Sequence, residues 1–245
     1  MSLLKRPNPF VTLVSYLKIN EGQRMTRMKK NITELVFILD KSGSMAGLEG
    51  DTIGGYNSML NKQKNAEGEA FVTTVLFNHQ TEILHDRINV RGISPITEAD
   101  YEVGGTTALM DAIGFSIQKI ANVQKYTSKE ERANKVLFVI TTDGMENASR
   151  EFTHNKIKKM IEHQKEKYGW DFMFLGANID AIAAAAQLGI DEDFAVDYHA
   201  DNIGTKLNYE MVSEAVIKVR KGNNIDRSWK EGIERDYKHR SRNHF

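Results

Sequence analysis

Short, continuous apolar runs alternate with segments of helical periodicity along most of this chain. The runs occupy 35–39, 136–140 and 172–175. An unbroken apolar run of this length is typical of a strand buried on both faces of a sheet, because a strand with one solvated face alternates apolar and polar residues. The runs therefore predict the central strands of a mainly parallel sheet.

Helical segments follow these runs, and one pair of segments has the pattern of a hairpin. The spacing of apolar residues predicts helices at 51–64, 153–168, 179–188 and 206–219, and another whose apolar residues span 108–120 and whose N-terminus is at Thr106-Thr107. Residues 70–77 and 82–90 are β-rich and joined by a short polar turn, and 194–196 is a short final strand. Strands alternating with helices indicate a doubly wound α/β fold, a mostly parallel sheet with helices on both faces and one antiparallel edge strand.

The chain has 245 residues, which suits one large α/β domain with extensions at its ends. We predict this domain at 31–221, a leader or disordered arm at 1–30 and a basic tail at 222–245. Met28 resembles a translation start, so residues 1–27 are a native leader, a disordered arm or the product of an upstream start. Mixed charges in the last segment favour a solvated tail or a short helix over a phosphate-binding arm.

Composition and charge disfavour several classes of partner and site. Lysine plus arginine and aspartate plus glutamate both number 33, so the net charge does not predict binding to nucleic acid or to an acidic membrane. Cysteine is absent, which excludes disulfides, thiolate zinc sites and cysteine nucleophiles. No apolar stretch approaches the roughly 18 residues of a membrane helix. We therefore expect a cytoplasmic protein that binds neither membrane nor nucleic acid.

Polar loops follow two of the predicted central strands and precede one predicted helix. Asp40, Ser42 and Ser44 follow the first strand, Asp143 follows the second, and Thr107 precedes the helix. In doubly wound sheets, ligands bind beyond the carboxyl ends of the strands. Carboxylate and hydroxyl oxygens suit hard cations. The five side chains therefore predict a metal site, with Mg²⁺ as the expected ion and Mn²⁺ or Ca²⁺ as alternatives.

Three motifs resemble the metal-ion-dependent adhesion site of von Willebrand factor A (vWA) domains. They are Asp40-Lys41-Ser42-Gly43-Ser44, Gly105-Thr106-Thr107-Ala108-Leu109 and Thr142-Asp143-Gly144, in the order found in the family. The resemblance covers about residues 34–220 and implies the family's Rossmann-like fold. Because the chain has neither disulfides nor an adjacent domain, it is most similar to stand-alone bacterial or phage-type members.

The resemblance also implies a role for each residue of the metal site. The hydroxyls of Ser42 and Ser44 would bind the ion directly, and that of Thr107 would join them in the ligand-competent state. Asp40 and Asp143 would act mainly through waters and hydrogen bonds. One coordination position would stay open for an Asp or Glu carboxylate of a partner protein.

Several alternatives stay open from the sequence alone. Thr106 is the alternative to Thr107, which is favoured because it lies four residues before Asp111, as the family's threonine usually does. The first motif on its own would also serve as a helix cap. We expect a metal-dependent protein-binding module and no enzymatic activity. A metal-assisted phosphoester hydrolase is the alternative, although the sequence shows no general base for it.

Overall fold

The computed structural model describes residues 31–242, which form a six-stranded sheet and six α-helices. The strands are β1 (Ile32–Asp40), β2 (Glu69–Phe77), β3 (Thr81–Asn89), β4 (Lys135–Thr142), β5 (Asp171–Ala177) and β6 (Ala195–Tyr198). The helices are α1 (Glu49–Lys64), α2 (Leu109–Tyr126), α3 (His154–Tyr168), α4 (Ala181–Gln187), α5 (Asn202–Arg220) and α6 (Glu231–Arg242). The predicted leader at 1–30 lies outside the described residues.

The strand order confirms the predicted fold class. The order is β3-β2-β1-β4-β5-β6, and β3 is antiparallel to β2 while the other neighbours are parallel. The chain builds outward from β1 to one edge and then from β4 to the other. Leu39 near the end of β1 pairs with Thr141 near the end of β4. The loops after these two strands therefore start side by side at the switch point of the sheet, where such folds bind ligands.

Two-sided burial explains why β1 is apolar throughout. Successive side chains of a strand point to opposite faces of the sheet. Leu35, Phe37 and Leu39 pack in one cluster with α1 and α5, whereas Val36 and Ile38 pack in a second cluster with α2 and α3. Each such side chain contributes roughly 1.5–3 kcal/mol when it is fully buried. No helix within residues 31–242 is long and apolar enough to cross a membrane.

Helix α2 begins later than the sequence predicted. Its first residue is Leu109, whereas the prediction placed its start at Thr106-Thr107. The backbone at Gly105 has a φ of 80°, so the residues before the helix follow a loop path. The amide of Met110 donates to Glu146 Oε2 at 2.9 Å. A distant loop thus caps the helix, and no local pattern marks its start.

In the predicted basic tail at 222–245, residues 231–242 form the short helix α6, which was the alternative to a solvated tail. Ile225, Trp229 and Ile233 lie at four-residue intervals and join the same apolar cluster as Leu35. The Trp229 indole donates to the carbonyl oxygen of Asp193 at 2.8 Å. These contacts attach the segment up to the end of α6 to the sheet, because its apolar face outweighs the solvation of its many charged residues.

A buried ion pair joins the centre of the sheet to its edge. Glu34 in β1 has a fully buried side chain, and its Oε2 accepts a hydrogen bond from Nε of Arg87 in β3 at 3.0 Å. Burial raises the pKa of Glu34 to about 7, although the charge of Arg87 acts in the opposite direction. Its carboxyl group therefore titrates near neutral pH in the folded chain.

We expect Glu34 to make the folded chain less stable as pH rises from 5 to 8. The folded pKa of about 7 lies above the ordinary value of 4.5, so in this window the folded state keeps a proton that the unfolded state has released. The stabilisation from this group is fully present when pH is below its ordinary pKa. It is lost as pH rises through the pKa that Glu34 has in the folded chain. Glu34→Gln should reduce the pH-dependent loss by about 1–3 kcal/mol. Urea unfolding of the unchanged chain and of Glu34→Gln at pH 5 and at pH 8 measures the free energy of unfolding. An equal change in that free energy between the two pH values for both proteins would refute the expectation.

Candidate metal centre

Three loops meet at the carboxyl edge of β1 and β4. They follow β1, precede α2 and follow β4, respectively. The amide of Gly43 in the first loop donates to the carbonyl oxygen of Gly105 in the second at 2.9 Å. The amide of Asn147 in the third loop donates to the carbonyl oxygen of Thr107 at 3.0 Å. Backbone hydrogen bonds thus join the second loop to both of the others.

The side-chain hydroxyls of these loops converge on one small space in front of Gly144. A Cβ atom built on this glycine would lie 3.1 Å from both Ser44 Oγ and Thr107 Oγ1, and 3.8 Å from Ser42 Oγ. The two serine oxygens are 3.1 Å apart, and Ser44 Oγ donates to Asp143 Oδ1 at 2.6 Å. The structure therefore brings four of the five predicted residues into a single oxygen-lined cluster.

Asp40 lies beneath this cluster and holds the first loop in shape. Its Oδ1 accepts a hydrogen bond from the amide of Ser42 at 2.7 Å, and its Oδ2 accepts one from Thr142 Oγ1 at 2.6 Å. Burial raises the pKa of Asp40, and these hydrogen bonds oppose the effect. Both carboxylate oxygens thus have partners, so Asp40 fixes the positions of the hydroxyls above it.

Asp143 has an oxygen without a partner. Its Oδ2 is buried and forms no hydrogen bond, whereas its Oδ1 is bound by Ser44. Burial raises the pKa of Asp143, the nearby charge of Asp40 raises it further, and the hydrogen bond from Ser44 lowers it. In residues 31–242, neither carboxyl group belongs to an ion pair. A buried carboxylate without a counter-charge is costly, and a bound cation would remove that cost.

The donor set fits a hard cation and does not fit a zinc centre of the usual kind. Across the described chain, no group of three or more His, Asp or Glu side chains is placed to hold a metal ion. The candidate centre instead combines two carboxyl groups with three hydroxyls. Mg²⁺, Mn²⁺ and Ca²⁺ accept such oxygen donors. Metal binding by Asp40, Ser42, Ser44, Thr107 and Asp143 stays a prediction that this arrangement fits.

The two adjacent threonines have different surroundings. Thr107 is buried and directs its hydroxyl to the cluster, whereas the side chain of Thr106 is exposed. Asp111, four residues after Thr107, accepts hydrogen bonds from the amides of Arg150 and Phe152, at 2.9 Å each. The position of Asp111, four residues after Thr107, is thus the one from which its carboxylate joins α2 to the loop after β4 through hydrogen bonds.

Two loop residues near the centre have a role that the sequence did not reveal. Glu146 and Asn147 follow the motif Thr142-Asp143-Gly144 and have the composition of an ordinary solvated loop. In the structure, Asn147 Oδ1 accepts a hydrogen bond from the amide of Thr107 at 2.9 Å. Glu146 accepts bonds from the amides of Ala148, Ser149 and Met110, at 2.8 to 2.9 Å. Together they hold the second and third loops around the hydroxyl cluster.

His79 and Tyr101 also reach the centre from outside its motifs. The turn between β2 and β3 packs the His79 ring against Gly105, where any Cβ would collide with that ring. The hydroxyl of Tyr101 donates to the carbonyl oxygen of Asp40. Neither contact has a signal in the sequence, because both depend on how distant loops pack.

Comparison with known proteins relates this chain to solved structures alone. No protein-family model and no curated protein matches it. A von Willebrand factor type A protein from Catenulispora acidiphila has 11% identity and a TM-score of 0.54, with 77% of this chain covered and 43% of that one. The vWF domain of the pilus tip protein Mfa5 from Porphyromonas gingivalis has 12% identity and a TM-score of 0.54, with 76% and 95% covered.

A third solved structure was obtained with a metal ion. Manganese-loaded TRAP protein from Plasmodium vivax has 17% identity and a TM-score of 0.50, and the match covers 72% of each chain. Identities this low establish a shared fold alone. The strand order, the antiparallel edge strand and these likenesses together show that the chain has the vWA fold.

Proposed function

We propose that this chain is a divalent-metal-dependent protein-binding module that recognises an acidic residue of its partner. The observation that carries the proposal is the convergence of three hydroxyls, from Ser42, Ser44 and Thr107, beside the unpartnered buried oxygen of Asp143. A cluster of uncharged donors next to two carboxyl groups is suited to holding one dication.

The composition of the cluster favours capture of a carboxylate. Mg²⁺ is the ion that we propose, with Mn²⁺ or Ca²⁺ as alternatives, and when bound it would supply positive charge for an anionic oxygen. Both oxygens of Asp40 are already hydrogen-bonded, so the chain offers fewer than six free donors. Ser44 is exposed, so the cluster is open to solvent and to a partner's side chain. The manganese in the TRAP structure belongs to that protein and supports the choice of ion by analogy of fold.

A metal-assisted phosphoester hydrolase is the second candidate, and His79 is the observation that favours it. This histidine is packed against Gly105, in the loop that also carries Thr107, and is the kind of residue that activates water. We rank this candidate lower because a site of three hydroxyls is better suited to binding a carboxylate than to generating hydroxide. Turnover of phosphate esters with Mg²⁺ or Mn²⁺, lost in His79→Ala, would reverse the ranking.

The adjacent threonines provide the test of the proposed function. We expect Thr107→Ala to weaken Mn²⁺ binding about tenfold or more, because it removes one of the converging hydroxyls. Thr106→Ala is the matched control and should bind as the unchanged chain does. Titration calorimetry with Mn²⁺ measures both affinities. Repeating the titration in acetate instead of chloride should raise the apparent Mn²⁺ affinity, since a carboxylate that binds the ion also stabilises its complex with the protein.

Two results would count against the proposed function. Equal Mn²⁺ affinities for the Thr106 and Thr107 variants would show that the Thr107 hydroxyl does not take part in binding the ion. An Mn²⁺ affinity that is the same in acetate and in chloride would show that the bound ion has no open position for a carboxylate.

A further inference from the structure

An apolar groove lies between the loop after β4, the start of α2 and α4. We call it the α4 groove. Its volume is about 400 Å³, within the range of pockets that hold a large side chain or a small ligand. The apolar side chains of its lining include Leu109, Met110, Ile179, Ala183, Ala184 and Leu188.

The α4 groove adjoins the candidate metal centre at Gly144. Gly144 lines the groove, and the same glycine faces the hydroxyls of Ser44 and Thr107, with a built Cβ only 3.1 Å from each. A partner segment whose carboxylate reached the hydroxyl cluster would therefore place its neighbouring residues at the mouth of the groove.

The lip of the groove is also apolar and exposed. Met145 follows Gly144 and is 75% exposed, although it is a large hydrophobic residue. Methionine side chains are flexible and adapt to the shape of what they contact, which is why they are common at protein-binding surfaces. An exposed methionine beside an apolar groove is thus placed to close over an inserted side chain.

The opposite side of the centre is polar. A second cavity there is lined by Lys41, Asn78, Gln80, Thr81 and Glu82, and Lys41 forms an ion pair with Glu82 at 2.8 Å. Strand order places the two cavities on opposite sides of β1 and β4. Of these two cavities, the α4 groove suits an apolar anchor and the one beside Lys41 does not, which would fix the direction of a bound segment.

We infer that the partner segment inserts a large apolar side chain into the α4 groove, close in sequence to the acidic residue held at the metal centre. This inference rests on the proposed function. A carboxylate alone does not select a partner, because every Asp or Glu presents the same group. Burial of a Leu- or Phe-sized side chain would add about tenfold to a hundredfold in affinity. Gly144 belongs to both the groove lining and the centre, and an extended chain advances about 3.3 Å per residue, so we expect the two anchors to lie within about three residues of each other.

Selection from a random peptide library displayed on phage tests the inference. The full chain captures phage in the presence of Mg²⁺, and EDTA then releases those that depend on the metal. We expect the released peptides to carry an Asp or Glu with a large apolar residue within about three positions. In a synthetic peptide from this set, replacing the apolar residue with alanine should weaken binding about tenfold or more.

Two variants of α4 separate the groove from the metal centre. Ala183 is exposed and lines the groove, whereas Ala186 is exposed on the same helix and does not. Ala183→Trp should weaken the selected peptide about tenfold, and Ala186→Trp should leave its binding unchanged. Both variants should keep the Mn²⁺ affinity of the unchanged chain.

The outcomes are distinguishable. Released peptides that are enriched in Asp or Glu but not in apolar residues would overturn the inference and leave the proposed function standing. If Ala183→Trp and Ala186→Trp weakened peptide binding equally, the inference would likewise be overturned and the proposed function would stand. If EDTA released no peptides above background, the proposed function would fail and the inference with it.

Discussion

The double variant Ser42→Ala, Ser44→Ala is expected to bind Mg²⁺ and Mn²⁺ at least about 100-fold more weakly than the unchanged chain. Loss of a residue that only supports a metal ligand commonly costs 10- to 100-fold in affinity, and this variant removes two of the three converging hydroxyls. It also removes the hydrogen bond from Ser44 to Asp143 Oδ1, while Oδ2 of that carboxyl has no hydrogen-bond partner to begin with. Titration calorimetry with each ion measures the loss.

The matched control changes two serines outside the centre. Ser58 on α1 and Ser128 after α2 are both exposed, so their replacement by alanine removes two hydroxyls without touching the three loops. The control should bind metal as the unchanged chain does, and both double variants should unfold cooperatively on heating. If the unchanged chain bound neither ion, it would have a vWA fold whose hydroxyl cluster does not hold metal.

The central strands were predictable because burial leaves a direct trace in the sequence. Residues 35–39 face two apolar clusters at once, so every position is apolar, and the run ends at Asp40, whose buried carboxyl group supports the candidate metal centre. Helix ends leave a weaker trace. The start of α2 is set by Glu146, which lies in a loop after β4 and accepts a hydrogen bond from the helix. A pattern of local residues does not contain that information.

The C-terminal segment shows how composition can conceal a packed element. Its mixed charged residues suggested a solvated tail or a short helix. Ile225, Trp229 and Ile233 nevertheless recur every four residues and are buried in the structure, where Ile225 precedes the helical turns, Trp229 lies in a 3-10 turn and Ile233 lies in α6. Lys230 is buried as well, since its ammonium group donates to the carbonyl oxygen of Ala195 at 2.9 Å. The periodicity of the few apolar residues was more informative than the charge.

The five residues of the candidate metal centre were predictable from the sequence. The residues that hold its loops in place were not. The five predicted residues come from three motifs at strand ends or at a helix start, where topology brings them together. Tyr101, Glu146 and His79 reach the same place through turns and loops whose paths depend on tertiary packing. Such residues become visible only when the loops are seen in contact.

Gly144→Ala is expected to lower Mn²⁺ affinity about tenfold or more with little effect on the fold. The added Cβ would lie 3.1 Å from Ser44 Oγ and from Thr107 Oγ1, closer than ordinary van der Waals contact. The hydroxyls must therefore move apart by a few tenths of an ångström. Gly144 does not have a positive φ, so alanine should fit the backbone without strain. Calorimetry with Mn²⁺ measures the affinity, and thermal unfolding checks the fold.

Gly104→Ala is the matched control for this prediction, since a Cβ at Gly104 meets nothing within 4 Å and its φ is not positive. It should keep both the Mn²⁺ affinity and the thermal stability of the unchanged chain. A loss of affinity confined to Gly144→Ala would show that the ion sits in the space that the three hydroxyls surround. Equal affinities for the two variants would mean that the ion, if bound, lies elsewhere, because a methyl group in that space could not leave its geometry unchanged.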